Sequence, residues 1–425
     1  MDIMRALGET AAMTRRANVA IVALLAALPA FGAGSDGENR NELLDLPDPL
    51  ANGRFTLELR PRYNRIDESN KPLRTETGTV RIAAGFITAP WNDVRFNLEG
   101  IHTDQFGPRN VNDDGAMNGT SPYPLLPDPR YTGVNQAYAD FGGIEATRLR
   151  IGRQLVRRDN QRWVSDNGFR QIPQVFDGVD LVNTSLAKTE LSASRFWRVR
   201  TTSGDTQDLT LTLLHAAWNP APAHALAAYG YFHDQPANGA RTGFANNSYR
   251  AVGVRAEGVG ARWGAIEVPY TAEFAQQRPY AGGDSRIDVN YWRLGAGAGG
   301  NDWTLRYDYE TKQSNGGQYG LQMPLTDFYA FNGWTLHFFN TPRQGLRDQW
   351  ITGRYAFGGF TLYAEGHKFR SDYGNIAFGR EVDMGLTYAW NESLVARLQH
   401  ARYDPGTGTP DPSIRKTWLT VTYLY

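Results

Sequence analysis

The 425-residue sequence predicts an all-β fold, a transmembrane antiparallel outer-membrane β-barrel of about 18 strands with long extracellular loops and short periplasmic turns. Three observations predict it. Apolar and polar residues alternate strictly along many segments. The connections between those segments switch between short and long, and the chain ends in an alternating strand that finishes on an aromatic residue.

The first segment stands outside the barrel. Arg15 and Arg16 precede the apolar stretch ANVAIVALLAALPA, and small residues follow around Ala30 to Gly34. A positive end, a short apolar core and a small-residue exit describe a secretory signal peptide, here residues 1–33, cleaved on export. Residues 34–53, rich in Asp, Asn and Pro, read as a flexible periplasmic N-terminal segment. The barrel then occupies residues 54–425.

Alternation carries the strand assignments. RFTLELRPRYNR sets Phe55, Leu57, Leu59, Pro61 and Tyr63 against Arg54, Thr56, Glu58, Arg60 and Arg62. DWTLRYDYE sets Trp303, Leu305, Tyr307 and Tyr309 against Asp302, Thr304, Arg306, Asp308 and Glu310, and EVDMGLTYAW repeats the pattern. Strands are expected near 54–66, 74–88, 92–104, 134–141, 146–155, 175–183, 187–200, 208–218 and 224–234. The second half continues with 248–258, 261–277, 287–298, 302–313, 347–357, 360–370, 380–390, 393–404 and 414–425. Sixteen strands remain an alternative if 134–141 and 175–183 are not strands. Short links such as APWN, TSLA, GVGA, GAGAGGN and NES follow the even-numbered strands, whereas 105–133, 156–174, 235–247 and 314–346 follow odd-numbered ones. A soluble sandwich or propeller also alternates, but it has no reason to sort its connections by length. Trp91, Trp218 and Trp390 stand beside short turns as an interfacial girdle requires.

Composition narrows the function. Lys+Arg and Asp+Glu are equal at 44 each, so no global charge points to nucleic acid. Cysteine is absent, which removes thiolate chemistry and disulfides. The histidines form no HExxH and no GxSxG elbow appears, so the sequence signals no catalytic site, no metal site and no cofactor, and the chain is read as a non-enzyme. GAGAGG (295–300) precedes a strand rather than a helix and reads as a tight periplasmic turn, not a dinucleotide loop. NVNDDG (110–115) is half of a calcium loop, with Ser121 in place of the bidentate Glu. His367 falls on the polar face near Glu365 and reads as pore lining.

The polar face is where the charge lies. If the apolar phase of each strand meets lipid, Arg54, Arg60, Arg62, Arg81, Arg95, Arg148, Arg150, Arg306, Arg354 and Arg397 point inward. Glu58, Glu99, Asp302, Asp308, Glu310, Glu365 and Asp383 accompany them. A basic residue at the lipid-facing midplane costs ~2–4 kcal/mol, so inward placement is favoured. Arginine stays ionised, and its planar fork can hold a carboxylate at two points. Simple alternation turns Arg153 outward at the rim, while a bulge at Gly152 would turn it inward to face the pore. In the connection GRQLVRRDNQRWVSDNGFRQ, the residues Arg157, Arg158, Asp159, Arg162, Trp163 and Asp166 form a constriction if 156–174 folds into the mouth. They form a solvated extracellular tip if it does not. Trp163 either packs the loop to the wall or offers a surface to a sugar ring. The apolar FYAFNGWTLHFF within 314–346 packs inside as a plug or lies against a partner.

GRQLVRRDNQRWVSDNGFRQIPQVFDGVDL (152–181), with Asp177 in its Phe-Asp strand opening, resembles one hallmark of the alginate-export family of outer-membrane porins. FNGWTLHFFNTPRQGLRD (331–348) resembles the second. The resemblance implies an 18-stranded monomeric barrel whose arginine-rich lumen passes an anionic polysaccharide. The expected partners are therefore outer-membrane lipids and lipopolysaccharide, the barrel assembly machinery, and an anionic polysaccharide or small anionic solute. A pore for small organic acids is the alternative. A barrel enzyme or adhesin working through its long loops is a further one.

Overall fold

The computed structural model describes residues 47–112, 121–235, 246–407 and 409–425. The signal-peptide reading, most of 34–53 and part of the NVNDDG stretch lie outside the described residues. A single helical turn, α1 (Asp48–Ala51), leads into the sheet, and Ala89 N–H donates to its Pro49 carbonyl at 2.9 Å.

Eighteen strands follow. The first six are β1 (Arg54–Glu68), β2 (Thr75–Ile87), β3 (Val94–Asn110), β4 (Tyr131–Ile144), β5 (Thr147–Gln154) and β6 (Val175–Asn183). Next come β7 (Thr189–Arg200), β8 (Thr206–Trp218), β9 (His224–Asp234), β10 (Tyr249–Trp263), β11 (Ile266–Pro279) and β12 (Val289–Gly299). The last six are β13 (Trp303–Lys312), β14 (Leu346–Phe357), β15 (Phe360–Arg370), β16 (Ala377–Ala389), β17 (Leu394–Pro405) and β18 (Ile414–Leu424). Every strand pairs antiparallel with its sequence neighbours, and β1 pairs with β18 from Glu58↔Leu424 to Glu68↔Ile414. That last ladder closes the sheet, so no edge is left open. The strands expected at 134–141 and 175–183 are present, which decides eighteen over sixteen.

Sidedness follows from the alternation. Leu98, Ile151, Leu214, Val254, Leu294, Leu305, Ile351, Met384 and Leu398 are exposed, and the residues between them turn to the other face. An outward apolar belt of this kind is what a hydrocarbon surround permits. Trp91, Trp218, Trp263, Trp303 and Trp390 ring the end with the short turns. The expected turn at 259–260 is a correction. There β10 makes a register shift between Val259 and Ala261 and runs on to Trp263, and the chain reverses at Gly264, whose φ is 60°. A bulge absorbed the glycine pair that reads locally as a turn. The turn placed at GAGAGG is corrected too, because Gly295 to Gly299 belong to β12. A Cβ at Gly295 would strike the Asp308 and Arg306 side chains, so glycine makes room there for an ion pair lying flat on the wall.

Candidate functional site: the lumen and its two crossing segments

Residues 155–174 touch the inner faces of strands all round the ring. Arg60 and Arg62 of β1 donate to the Gly168 and Phe169 carbonyls, both at 2.7 Å. Arg158 reaches Asp180 of β6 and Ser194 of β7. The indole N–H of Trp163 donates to Glu273 of β11 at 3.1 Å, and Arg162 grips Glu310 of β13 at 2.8 and 2.5 Å. A segment bonded to β1, β6, β11 and β13 lies across the lumen. Residues 313–345 cross it as well. Trp334 stacks on Tyr363 of β15 at 5.7 Å, and its N–H donates to Asp383 of β16 at 3.2 Å. Phe338 packs with Phe369, Phe378 and Tyr403 in a buried cluster.

The two segments hold each other. Ser165 N–H donates to the Leu325 carbonyl at 2.9 Å, and Asn167 Nδ2 donates to the Thr326 carbonyl at 2.8 Å. Asp327 N–H donates to the Gln161 carbonyl at 3.0 Å, and the Phe169 and Tyr329 rings stack at 3.6 Å. Deep burial is tolerated where a charge meets an opposite one, as it does at Arg162 and Asp159. Arg162 is 1% exposed, and the Glu310 carboxylate outweighs its burial to raise its pKa above the usual guanidinium value. Asp159 accepts from His215 Nε2 at 2.8 Å and from Arg255 at 3.2 Å. Burial alone would lift its carboxyl, but those two partners bring it below the usual range.

A second group of charges keeps contact with water. Arg150 grips Asp140 with two bonds of 2.6 Å and lies 3.8 Å over the Tyr138 ring. Arg148 beside it bonds Asp180 at 3.2 Å and remains 39% exposed. Arg306 rests on Asp308 at 2.6 Å, shared with Arg293 at 2.8 Å, and retains 19% exposure. Arg95 of β3 and Arg354 of β14 are exposed, and Arg157 is 60% exposed although it bonds Asp166 at 2.6 Å.

The predicted residues therefore divide. Arg95, Arg148, Arg150, Arg157, Arg306 and Arg354 carry accessible charge. Arg60, Arg62, Asp159, Arg162, Trp163, Asp308 and Glu310 are tied up in holding the crossing segments or one another; Trp163 packs against Tyr229 and Tyr291 rather than facing water. Glu365 joins a buried histidine cluster. Arg153 and Asp177 need a correction. Neither ladder of β5 shifts at Gly152, so Arg153 keeps the outward phase of Ile151 and forms a two-pronged pair with Asp177 at 2.7 and 2.8 Å. The nearby register shift falls at Asp177/Gly178 in the β6–β7 ladder instead. Gly152 is needed for its φ of 129°, which a side chain would strain.

Sequence reasoning missed Asp140, Arg200, Arg255, Glu273 and Arg293. For Arg255 the signal was present, since Val252 and Val254 face out and fix its phase inward. Arg200, 1% exposed, binds Asn135 and the Pro173 carbonyl, and no local pattern announces that role.

A sequence family described as alginate export matches residues 54–313. No curated protein sequence gives a significant match. Among solved structures, Pseudomonas aeruginosa OpdK with vanillate is similar at 17% identity, covering 88% of this chain and 99% of that one, with a TM-score of 0.68. Acinetobacter baumannii OccAB2 is similar at 16% identity over 89% and 99% of the two chains, TM-score 0.66. OccAB4 of the same organism is similar at 14% identity over 89% and 100%, TM-score 0.65. At these identities the likeness is one of fold.

Proposed function

Because the chain belongs to the alginate-export family and is an outer-membrane β-barrel of the Gram-negative type, we propose that it is a channel for anionic solutes, small organic carboxylates in particular. The observation that carries the size limit is the pair of crossing segments. They are bonded to each other and to strands on several sides, so they reduce the lumen's free cross-section and are held in place there. The sign follows from the accessible arginines. Arg148 and Arg157 keep exposed side-chain surface, whereas their partners Asp180 and Asp166 are nearly buried; Arg150 and Asp140 are exposed alike. In a narrow, low-dielectric-walled passage that imbalance focuses a field that attracts carboxylates. The Debye length at physiological salt is ~8 Å, so such a field is only partly screened. A guanidinium also offers a carboxylate two parallel bonds, which gives a small acid a defined resting place. The OpdK structure contains vanillate, itself a small aromatic carboxylate, and that favours the same solute class here.

The family match favours a second reading, passage of an acidic polysaccharide, through the same arginines. Reversal-potential and conductance measurements in planar bilayers separate the two. Small monocarboxylates that block current in the millimolar range support the organic-acid reading; oligouronates that block at far lower concentration support the polymer. Cation selectivity at low salt overturns both.

A further inference from the structure

Four carboxylates and one histidine meet where the tip of residues 331–335 touches the wall. His367 of β15 is 5% exposed, Asp348 of β14 and Glu381 of β16 are each 1%, and Asp383 of β16 is 0%. The Glu365 side chain is 10% exposed. His367 Nδ1 lies 3.0 and 3.1 Å from the two Asp348 oxygens, so Asp348 orients the ring. The opposite nitrogen, Nε2, points at two more carboxylates, 3.4 Å from Glu365 Oε2 and 3.8 Å from Asp383 Oδ2. One ligand atom from each of Glu365, His367 and Asp383 lies within 4.8 Å of the other two.

The charges in this cluster do not balance. Arg162 is committed to Glu310, and Lys312 Nζ bonds the Asn332 amide oxygen at 2.8 Å. Among the described residues His367 is the one base that bonds these carboxylates, a single cationic group for four buried acids. A separate observation shows the deficit at one atom. Asp383 Oδ1 is buried with no base, amide or hydroxyl donating to it, and its carboxyl meets that of Glu381, so the two acids can be accommodated together only with a shared proton or a cation. A buried anionic oxygen without a donor is costly unless a proton or cation supplies the missing charge.

We propose that Glu365, His367 and Asp383 form a binding site for a divalent transition-metal ion, with Zn(II) or Mn(II) as the class, and that Asp348 positions the histidine ligand. Bonds of about 2.0–2.2 Å from an ion to N and O atoms place neighbouring ligand atoms about 3.0–3.5 Å apart. The 3.4 and 3.8 Å spacings from Nε2 lie close to this range, and the two carboxylate oxygens, within 4.8 Å of each other, close in on the ion. A carboxylate on the far nitrogen of a ligating histidine is the usual outer arrangement around such ions. One imidazole with two carboxylates suits Zn(II) and Mn(II), whereas calcium prefers six to eight oxygens. The ion bridges β15 to β16 at the point where Trp334 N–H meets Asp383 and where Thr335 donates to Glu381 at 2.6 and 2.5 Å. It thereby pins the tip of the second crossing segment to the wall.

Isothermal titration of chelator-stripped, folded protein in detergent with ZnCl₂, MnCl₂ and CaCl₂ tests this. The expected result is one saturable Zn(II) or Mn(II) site per chain, with calcium weaker by at least tenfold. Asp383→Asn and His367→Gln should each weaken binding at least tenfold while unheated gel mobility stays that of a closed barrel. Glu365→Gln, at the most exposed ligand, is the substitute variant if either of those fails to fold. Absence of saturable binding in the unmodified protein overturns the proposal. So does a site whose affinity survives both Asp383→Asn and Glu365→Gln, since exposed histidines such as His400 would then hold the metal.

Discussion

Arg157 and Arg162 lie in the same connection, yet they do opposite things. Arg162 is 1% exposed and closes a two-pronged pair with an equally buried Glu310, while Arg157 is 60% exposed on Asp166. Removing one member of a buried pair leaves the other charged and stranded, which costs about 3–5 kcal/mol. A pair exposed on both sides contributes about 0–1 kcal/mol, and the Arg157–Asp166 pair lies between the two cases because its carboxylate is only 2% exposed. Arg162→Met is therefore expected to lower the urea midpoint of the folded barrel clearly, and Arg157→Ala to lower it by less; equal midpoints would show that Glu310 finds another partner. For transport the expectation reverses. Arg148→Gln with Arg150→Gln removes accessible charge without stranding a buried acid, because Asp140 stays 21% exposed and the nearly buried Asp180 keeps Arg158. Anion preference at low salt should then fall by roughly a factor of ten, the lower end of electrostatic focusing. Arg153→Gln, in the outward phase, should leave selectivity where it is.

At the scale of elements, the two crossing segments share one body, and each has its own hold on the wall. Asp159 anchors the first to His215 of β8 and Arg255 of β10. Its folded pKa lies below that of a free aspartate, about 3.9, so the anchor contributes fully above that pH and is lost as pH falls through the lower folded value. Current fluctuations from a loosened 155–174 segment should appear only in that acidic window, and Asp159→Asn should bring them to neutral pH. Replacing 326–340 by a short Gly-Ser link should raise single-channel conductance while the barrel stays resistant to SDS without heating. Unchanged conductance would mean that this segment does not restrict the passage. The strands that carry these anchors were legible in the sequence because alternation is a local property, and β6, β9 and β15 fall where their periodicity puts them. The β10–β11 turn was not legible, because a bulge and a turn both call for small residues and only the partner strand tells them apart. Nor was the fate of Arg162. Its partner is 148 positions away, and nothing near either residue encodes the meeting.

On the scale of the whole molecule, closure depends on the last few residues. The β1–β18 ladder pairs Leu59 with Tyr423 and Glu58 with Leu424, and Leu57 and Tyr425 exchange backbone bonds of 3.1 and 2.9 Å. These contacts lie at the short-turn rim, where Tyr425 is 65% exposed and packs beside Phe55. Removing Thr422–Tyr425 leaves the start of β1, from Arg54 to Leu59, with β2 alone as its neighbour. The freed N–H and C=O groups would face hydrocarbon or the interface, where each unsatisfied group costs several kcal/mol. An open edge also invites pairing with other chains. The truncated protein is therefore expected to accumulate in the periplasm as unfolded or aggregated chain, running at the same position with and without heating on gels. The experiment separates two roles of the terminus. If the truncated chain refolds in detergent to a heat-modifiable barrel but is absent from the outer membrane of cells, the terminal aromatic acts in delivery and closure tolerates its loss. If it fails in both settings, the missing ladder is what the fold requires. A heat-modifiable protein found in the outer membrane would mean that β1 and the shortened β18 close the ring without these four residues.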